Sequence, residues 1–358
     1  MGILFFIFTM KRLINYNLFE KNNLEHEQKY DELLKAICLI NYRYLAIGKI
    51  NGELSIYDLN NKKEVYSQKI FSRSITNLIK FGTENESKII SCSEDSTIKI
   101  LDLFFDNDEY NLKEINIIPS KHKSSIKKLE HLGNNKFASC SKDSTFIIWN
   151  LNKDLNEIEL KDIVGIENFF IKVKKKIIQK IVLLNEKGCL SFYENEKGKF
   201  FLKYIIPNID YTNSNSMIKY GNKILIGGYK SLQIISFETK QIETLIKIGS
   251  PISYIYSFND HNNLLFLGLK TGELKIINNK CRIINNNNQK EMKSTIFDFS
   301  KLYNEKNEVK LFDNLPIISF LIGLGKIFCI SDEIFKVYNL EKMKTSGEYK
   351  VLKSINFL

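Results

Sequence analysis

Residues able to carry acid–base, nucleophilic or metal chemistry are few in this chain. The histidines are His26, His122, His131 and His261. None pairs at the i, i+4 spacing that places two imidazoles on one helix face, and no His-Glu-x-x-His occurs. The cysteines, Cys38, Cys92, Cys140, Cys189, Cys281 and Cys329, form no Cys-x-x-Cys pair, and several sit inside apolar runs. A zinc site needs clustered thiolates or imidazoles, and a secreted disulfide scaffold is short and cysteine-dense. Neither describes this chain, which points to reduced thiols and a cytoplasmic or nuclear protein. No Gly-x-Ser-x-Gly elbow, phosphate-binding loop or Gly-x-Gly-x-x-Gly is present. Gly227-Gly228 ends a strand-like run with no helix after it. The expectation is therefore no catalytic residues, no metal, no cofactor and no small-molecule substrate.

Binding chemistry is better represented. The 358 residues carry 52 Lys and Arg against 41 acids, a formal charge of +11. Such a balance suits RNA, anionic surfaces or acidic proteins. Lys, Asn and Ile are inflated together, however, so part of the charge is compositional background. The N-terminal apolar run Ile3–Phe8 is far shorter than the roughly 20 residues a spanning helix needs, and no other run approaches that length. No membrane span is expected, and the chain reads as soluble.

The elements that would carry any binding residues follow from an internal repeat. An apolar–any–apolar–bulky tetrapeptide starts at 54, 98, 146, 190, 232, 274 and 335. The intervals are 44, 48, 44, 42, 42 and 61 residues. Five of these lie near the roughly 40–45 residues of a four-stranded propeller blade, and the last leaves room for a hidden extra unit. A second apolar strand precedes each tetrapeptide, as in Tyr44–Gly48, Lys136–Cys140 and Lys326–Ile330. Asn51-Gly52, Lys187-Gly188 and Thr271-Gly272 supply tight turns between the two, because glycine tolerates positive φ. Asp95 and Asp143 supply turns whose side chains bond the backbone two residues on. Further strands stand before and after each pair, at Ile75–Phe81 and Leu112–Ile118 in the second unit. These strands are apolar on both faces, as sheets stacked on both sides require. The predicted fold is all-β, a seven-bladed β-propeller of four-stranded blades.

The segment Phe137-Ala138-Ser139-Cys140-Ser141-Lys142-Asp143-Ser144-Thr145-Phe146-Ile147-Ile148-Trp149-Asn150 resembles the hallmark of WD-repeat propellers, and Ile89–Leu103 is a second copy. His122 stands where that family carries its Gly-His dipeptide. The resemblance implies a structural hydrogen-bonded tetrad of His122, a Ser at 139 or 141, Asp143 and Trp149. It covers roughly residues 33–358. Elsewhere Tyr57, Leu101, Tyr193, Ile277 and Tyr338 replace Trp, and units four to seven have no obvious turn Asp.

Residues 1–32 form an N-terminal extension, charged and helix-prone over 20–31. Leu13–Phe19 offers a ring-closing strand, with Tyr349–Phe357 as the alternative. Residues 278–295 are an Asn-rich insertion, and Phe104–Asn111 an acidic connection. One rim of such a fold would present Lys49, Arg73, Glu94, Lys121, Lys123, Lys142, Tyr229, Lys230 and Lys270 as candidate partner-binding residues, and Lys174-Lys175-Lys176 would lie on the other. The leading expectation is a non-enzymatic scaffold binding one or more proteins of a multiprotein complex through rim loops. The alternative is an RNA-associated or ribosome-assembly propeller using its basic patches.

Overall fold

The computed structural model describes residues 24–81, 88–106, 109–118, 121–133, 135–151, 158–160, 166–174, 177–197, 199–212, 216–220, 223–257, 264–278, 308–324 and 326–339. Among these every regular element is a β-strand, and the strands form seven antiparallel sheets of four. The first sheet runs Leu34–Leu39, Tyr44–Lys49, Glu53–Asp58, Lys63–Lys69, and the second Ile75–Phe81, Lys88–Ser93, Ile98–Asp106, Glu109–Ile118. The third runs Ile126–Gly133, Lys136–Ser141, Phe146–Asn150, Ile158–Leu160, and the fourth Ile166–Lys174, Ile177–Asn185, Leu190–Glu196, Lys199–Ile206. The fifth runs Met217–Tyr220, Lys223–Gly227, Ser231–Ser236, Ile242–Lys247, and the sixth Ile252–Ser257, Leu264–Leu269, Glu273–Asn278, Glu308–Lys310.

The seventh sheet breaks chain order. Its strands Ser319–Gly323, Lys326–Ser331 and Ile334–Asn339 take Leu24–Lys29 as their fourth member. That strand is antiparallel to Ile334–Asn339, with Glu27 opposite Lys336 and Lys29 opposite Ile334. Of the range 20–31, expected to be helical, the residues Leu24–Lys29 form a strand. Its alternation of charge suits an outer edge, where one neighbour supplies the ladder and solvent takes the other side. Leu13–Phe19 and Tyr349–Phe357, the strands offered for this place, lie outside the described residues. So does the Asn-rich stretch beyond Asn278. The acidic connection Phe104–Asn111 largely extends two paired strands, with Phe105 opposite Tyr110.

Interior strands are buried on both faces. Every residue of Tyr44–Lys49, Phe146–Asn150 and Ser231–Ser236 is buried, because each of these sheets packs against another on either side. Seven apolar clusters fill the spaces. One joins Leu54 and Ile56 of the first sheet to Ile75 and Ile89 of the second. The next joins Ile90 and Ile98 to Phe137 and Trp149 of the third. The series continues sheet by sheet to a cluster shared by Phe266 and Leu274 of the sixth and Phe320 and Ile327 of the seventh. The remaining cluster joins Phe328, Ile330, Phe335 and Val337 of the seventh sheet to Leu34, Leu45 and Ile47 of the first.

First strands of sheets that are not consecutive also act on one another. Burial raises the carboxyl pKa of Glu130 in the third sheet, against the pull of Lys128 and of Lys219 in the fifth. Burial likewise raises the Tyr254 hydroxyl of the sixth, with Cys38 of the first adding to it.

Turns between second and third strands fall at the positions read from the sequence. Gly52, Gly188 and Gly272 take φ values of 86°, 71° and 82°. In the second and third sheets the left-handed position is filled by Ser96 and Ser144, at 70° and 72°. There a turn aspartate holds the backbone in place of glycine's freedom.

Candidate functional site

The turn between second and third strands of a sheet, and the connection entering that sheet, share one end of the molecule because their backbones bond. The Ile50 N–H donates to Leu33 O, Glu94 N–H to Ser74 O, Lys142 N–H to Ser125 O, and Lys270 N–H to Pro251 O. All nine candidate partner-binding residues lie at this end.

The third sheet ties its turn to its entering loop through side chains. Trp149 donates from Nε1 to Ser139 Oγ at 2.7 Å, and His122 Nε2 meets the same oxygen at 2.7 Å. His122 Nδ1 lies 2.6 Å from Thr145 Oγ1, whose hydroxyl donates to Asp143 Oδ1. Thr145 has one proton and gives it to Asp143, so Thr145 Oγ1 accepts from His122 Nδ1, while Ser139 accepts from the indole, a donor only, and gives its own proton to His122 Nε2. That count assigns the proton of a neutral ring to Nδ1, facing Thr145. Ser139 belongs to this chain of bonds, whereas Ser141 accepts from the Asp143 N–H at 3.2 Å and donates to Ser124 O at 3.0 Å. Trp149 and Ser139 are buried, Phe137 stacks on the indole at 5.9 Å, and the ring of His122 meets it edge-on at 6.2 Å.

Asp143 is the junction. Burial alone would raise its carboxyl, but His122, with Nδ1 3.6 Å from Oδ2, and the bonds from Thr145 and the Lys123 N–H outweigh that and hold it well below the usual carboxylate range. The carboxylate is thus spent on structure. Asp95 repeats the arrangement in the second sheet: its Oδ1 receives the Thr97 N–H at 3.0 Å, and its Oδ2 the Ser72 N–H at 3.0 Å and hydroxyl at 3.1 Å. Again the bonds outweigh burial and lower its pKa. Thr97, Thr145 and Ser72 were not singled out from the sequence. The recurrence of Ser-x-Asp-Ser-Thr at 93–97 and 141–145 is the signal that finds the two threonines.

Around this frame lie the exposed groups. Lys121, Lys123 and Lys142 are all exposed on the rim of the third sheet. The bonds from the Lys123 N–H to Asp143 and from the Lys142 N–H to Ser125 O bring two of their backbones together. Arg73 is exposed and Glu94 half-buried. Tyr229 is 53% exposed, with its N–H fixed by Asp210 Oδ2 at 3.0 Å. Lys270, on the next sheet, sets its ammonium 5.6 Å from the Tyr229 ring centroid. Lys230 stands beside Tyr229, and its carbonyl accepts the N–H groups of Ile248 and Gly249. Exposed Ile50 and Leu33 add apolar surface at the same end. Asp210, which fixes Tyr229, is too far from it in sequence to be read as its partner.

Lys49 is corrected. It is buried, with Nζ 3.1 Å from Glu53 Oε1, 3.9 Å from Glu64 Oε2 and 5.0 Å from the Tyr30 ring centroid. An ammonium enclosed this way holds strands together and is not presented to a partner. Of Lys174-Lys175-Lys176, the last two lie outside the described residues, and Lys174 ends a strand.

No protein-family model matches the chain, and no curated protein sequence matches it.

Proposed function

We propose that the seven sheets are the blades of a closed WD-repeat propeller, acting as a non-enzymatic scaffold that docks proteins of a multiprotein complex on its turn-bearing face. The observation that carries closure is the cluster joining the seventh sheet to the first, with Leu24–Lys29 completing the seventh from the other end of the described chain. The pull of Lys219 on Glu130 fits first strands arranged around a common channel. The His122–Ser139–Trp149 and Asp143 bonds fit the WD-repeat reading in the third unit.

Docking rests on the Tyr229–Lys270 pair. It combines an exposed aromatic with a cation held at its face, a type of group that anchors interfaces. The exposed Lys121, Lys123 and Lys142 supply a charged rim, and the rigid sheets beneath keep these loops in place.

The test is affinity purification of the tagged full chain, with and without nuclease, beside a Tyr229→Ala/Lys270→Ala double variant. A reproducible set of proteins that survives nuclease and is lost by the variant is expected. Capture that vanishes with nuclease and falls steeply with salt would favour the RNA reading. Absence of reproducible proteins would end the scaffold reading.

A further inference from the structure

The outer strand of the fourth sheet, Lys199–Ile206, differs from those of the first and seventh. Its side chains Phe201, Leu202, Tyr204 and Ile205 are 45%, 48%, 44% and 45% exposed. The outer strand of the first sheet exposes Lys63, Ser67, Gln68 and Lys69 instead, and that of the seventh Leu24, Glu27 and Lys29. Polar or charged edges of this kind are how sheet proteins avoid unwanted pairing.

Pairing register sorts the exposed side chains. Tyr204 opposes Phe192 and Phe201 opposes Glu194, whereas Leu202 opposes Tyr193 and Ile205 opposes Ser191. Phe192 packs toward the fifth sheet and Tyr193 toward the third. The strand therefore offers Phe201 and Tyr204 on one face, Leu202 and Ile205 on the other, and between them a backbone edge that, among the described residues, is bonded on its inner side only. Among the described residues the outer strand of the third sheet is only Ile158–Leu160. That of the fifth extends the apolar surface through Ile242 and Leu245, 43% and 57% exposed.

Charge at this edge is unbalanced. Glu196 is taken by Lys203, and Glu194 by Lys180 at 2.9 Å and Lys240 at 3.5 Å. Exposed Lys197 and Lys199 have no acidic partner among the described residues. A second copy would bring the same lysines to the same edge, where like charges oppose pairing. A lipid surface would leave open backbone groups in hydrocarbon, which is costly.

We infer that Lys199–Ile206 is a β-augmentation site that receives an extended segment of another protein, alternating apolar and acidic residues. Main-chain bonds to the open edge supply affinity, and side chains on both faces supply selection. This surface is lateral and depends neither on the turn-bearing face nor on closure.

The test pans a random ten-residue peptide library against the full chain. Enriched peptides should alternate apolar with acidic residues, and binding should fall about tenfold in Leu202→Lys/Ile205→Lys, as loss of an anchor predicts. They should slow amide exchange over residues 199–206 of the unaltered chain, a readout independent of whether the double variant folds. Tyr229→Ala/Lys270→Ala should leave all of this unchanged. Four results would overturn the inference: no enrichment, enriched peptides without acids, equal retention of phosphatidylcholine–phosphatidylserine vesicles, or self-association through this strand.

Discussion

Removing the Trp149 side chain is the most direct test of how the third sheet is held. The indole is 1% exposed, stacked on Phe137 at 5.9 Å, and donates to Ser139 Oγ at 2.7 Å. Trp149→Ala removes a large buried ring, a change that costs about 3–5 kcal/mol. It also leaves Ser139 Oγ, already committed to His122, short of one donor. Trp149→Phe separates the two contributions. It keeps an aromatic on Phe137 but removes the donor, and should cost about 1–2 kcal/mol, the range for one unmade buried bond. Combining Trp149→Phe with Ser139→Ala should then cost less than the sum of the singles, because both delete the same bond. The assay is urea denaturation followed by far-ultraviolet circular dichroism, since Trp149 is the one tryptophan and its fluorescence is lost with it. A midpoint shift equivalent to less than about 1 kcal/mol for Trp149→Ala, the level of an ordinary surface change, would refute the burial and the bond together.

Other outcomes follow from the same geometry. Asp143 is held below its unfolded value of roughly 3.9, so its contribution is full above that pH and is lost as pH falls further; Asp143→Asn should flatten the acid limb of a midpoint-against-pH plot below about pH 4. Gly272 and Gly249 share a φ of 82°, but only at Gly272 would a Cβ meet carbonyl oxygens, those of Phe312 and Leu315. Gly249→Ala should therefore cost about 1–2 kcal/mol for the left-handed backbone, and Gly272→Ala clearly more by thermal unfolding. Lys49→Ala strips the cation from Glu53 and Glu64 and should lower stability by more than about 1 kcal/mol, with partner capture unchanged per folded molecule. Burial pushes the thiol of Cys92 up to about 12, so it stays protonated at pH 8 and should react with iodoacetamide only after denaturant is added.

Strands buried on both faces announced themselves in the sequence, because an apolar run such as Phe146–Trp149 has no solvated side to dilute it. Outer strands were harder to read. Leu24–Lys29 is mostly polar, as one-sided pairing demands, and its charge pattern is equally that of a solvated helix. Only its distant matches, Glu25 with Lys326 and Glu27 with Lys336, explain it. The bond from Trp149 to Ser139 was legible through the motif, while the relay through Thr145 needed coordinates to separate Ser139 from Ser141. Lys49 misled because a lysine just before a turn reads as rim. Its acids sit on the two strands that follow, and nothing in a linear reading places three strands around one ammonium. Tyr229 and Lys270 occupy matching places in successive repeats, which is why a cation from one sheet reaches an aromatic on the next.

The pairing of Leu24–Lys29 with Ile334–Asn339 has a consequence for synthesis. The Glu25–Lys326 contact spans 301 positions, so this segment leaves the ribosome that many residues ahead of its mate. Translation at about 5–20 residues per second makes that delay tens of seconds. A polar, charge-bearing sequence is a segment that can stay solvated over such an interval without sticking to its neighbours.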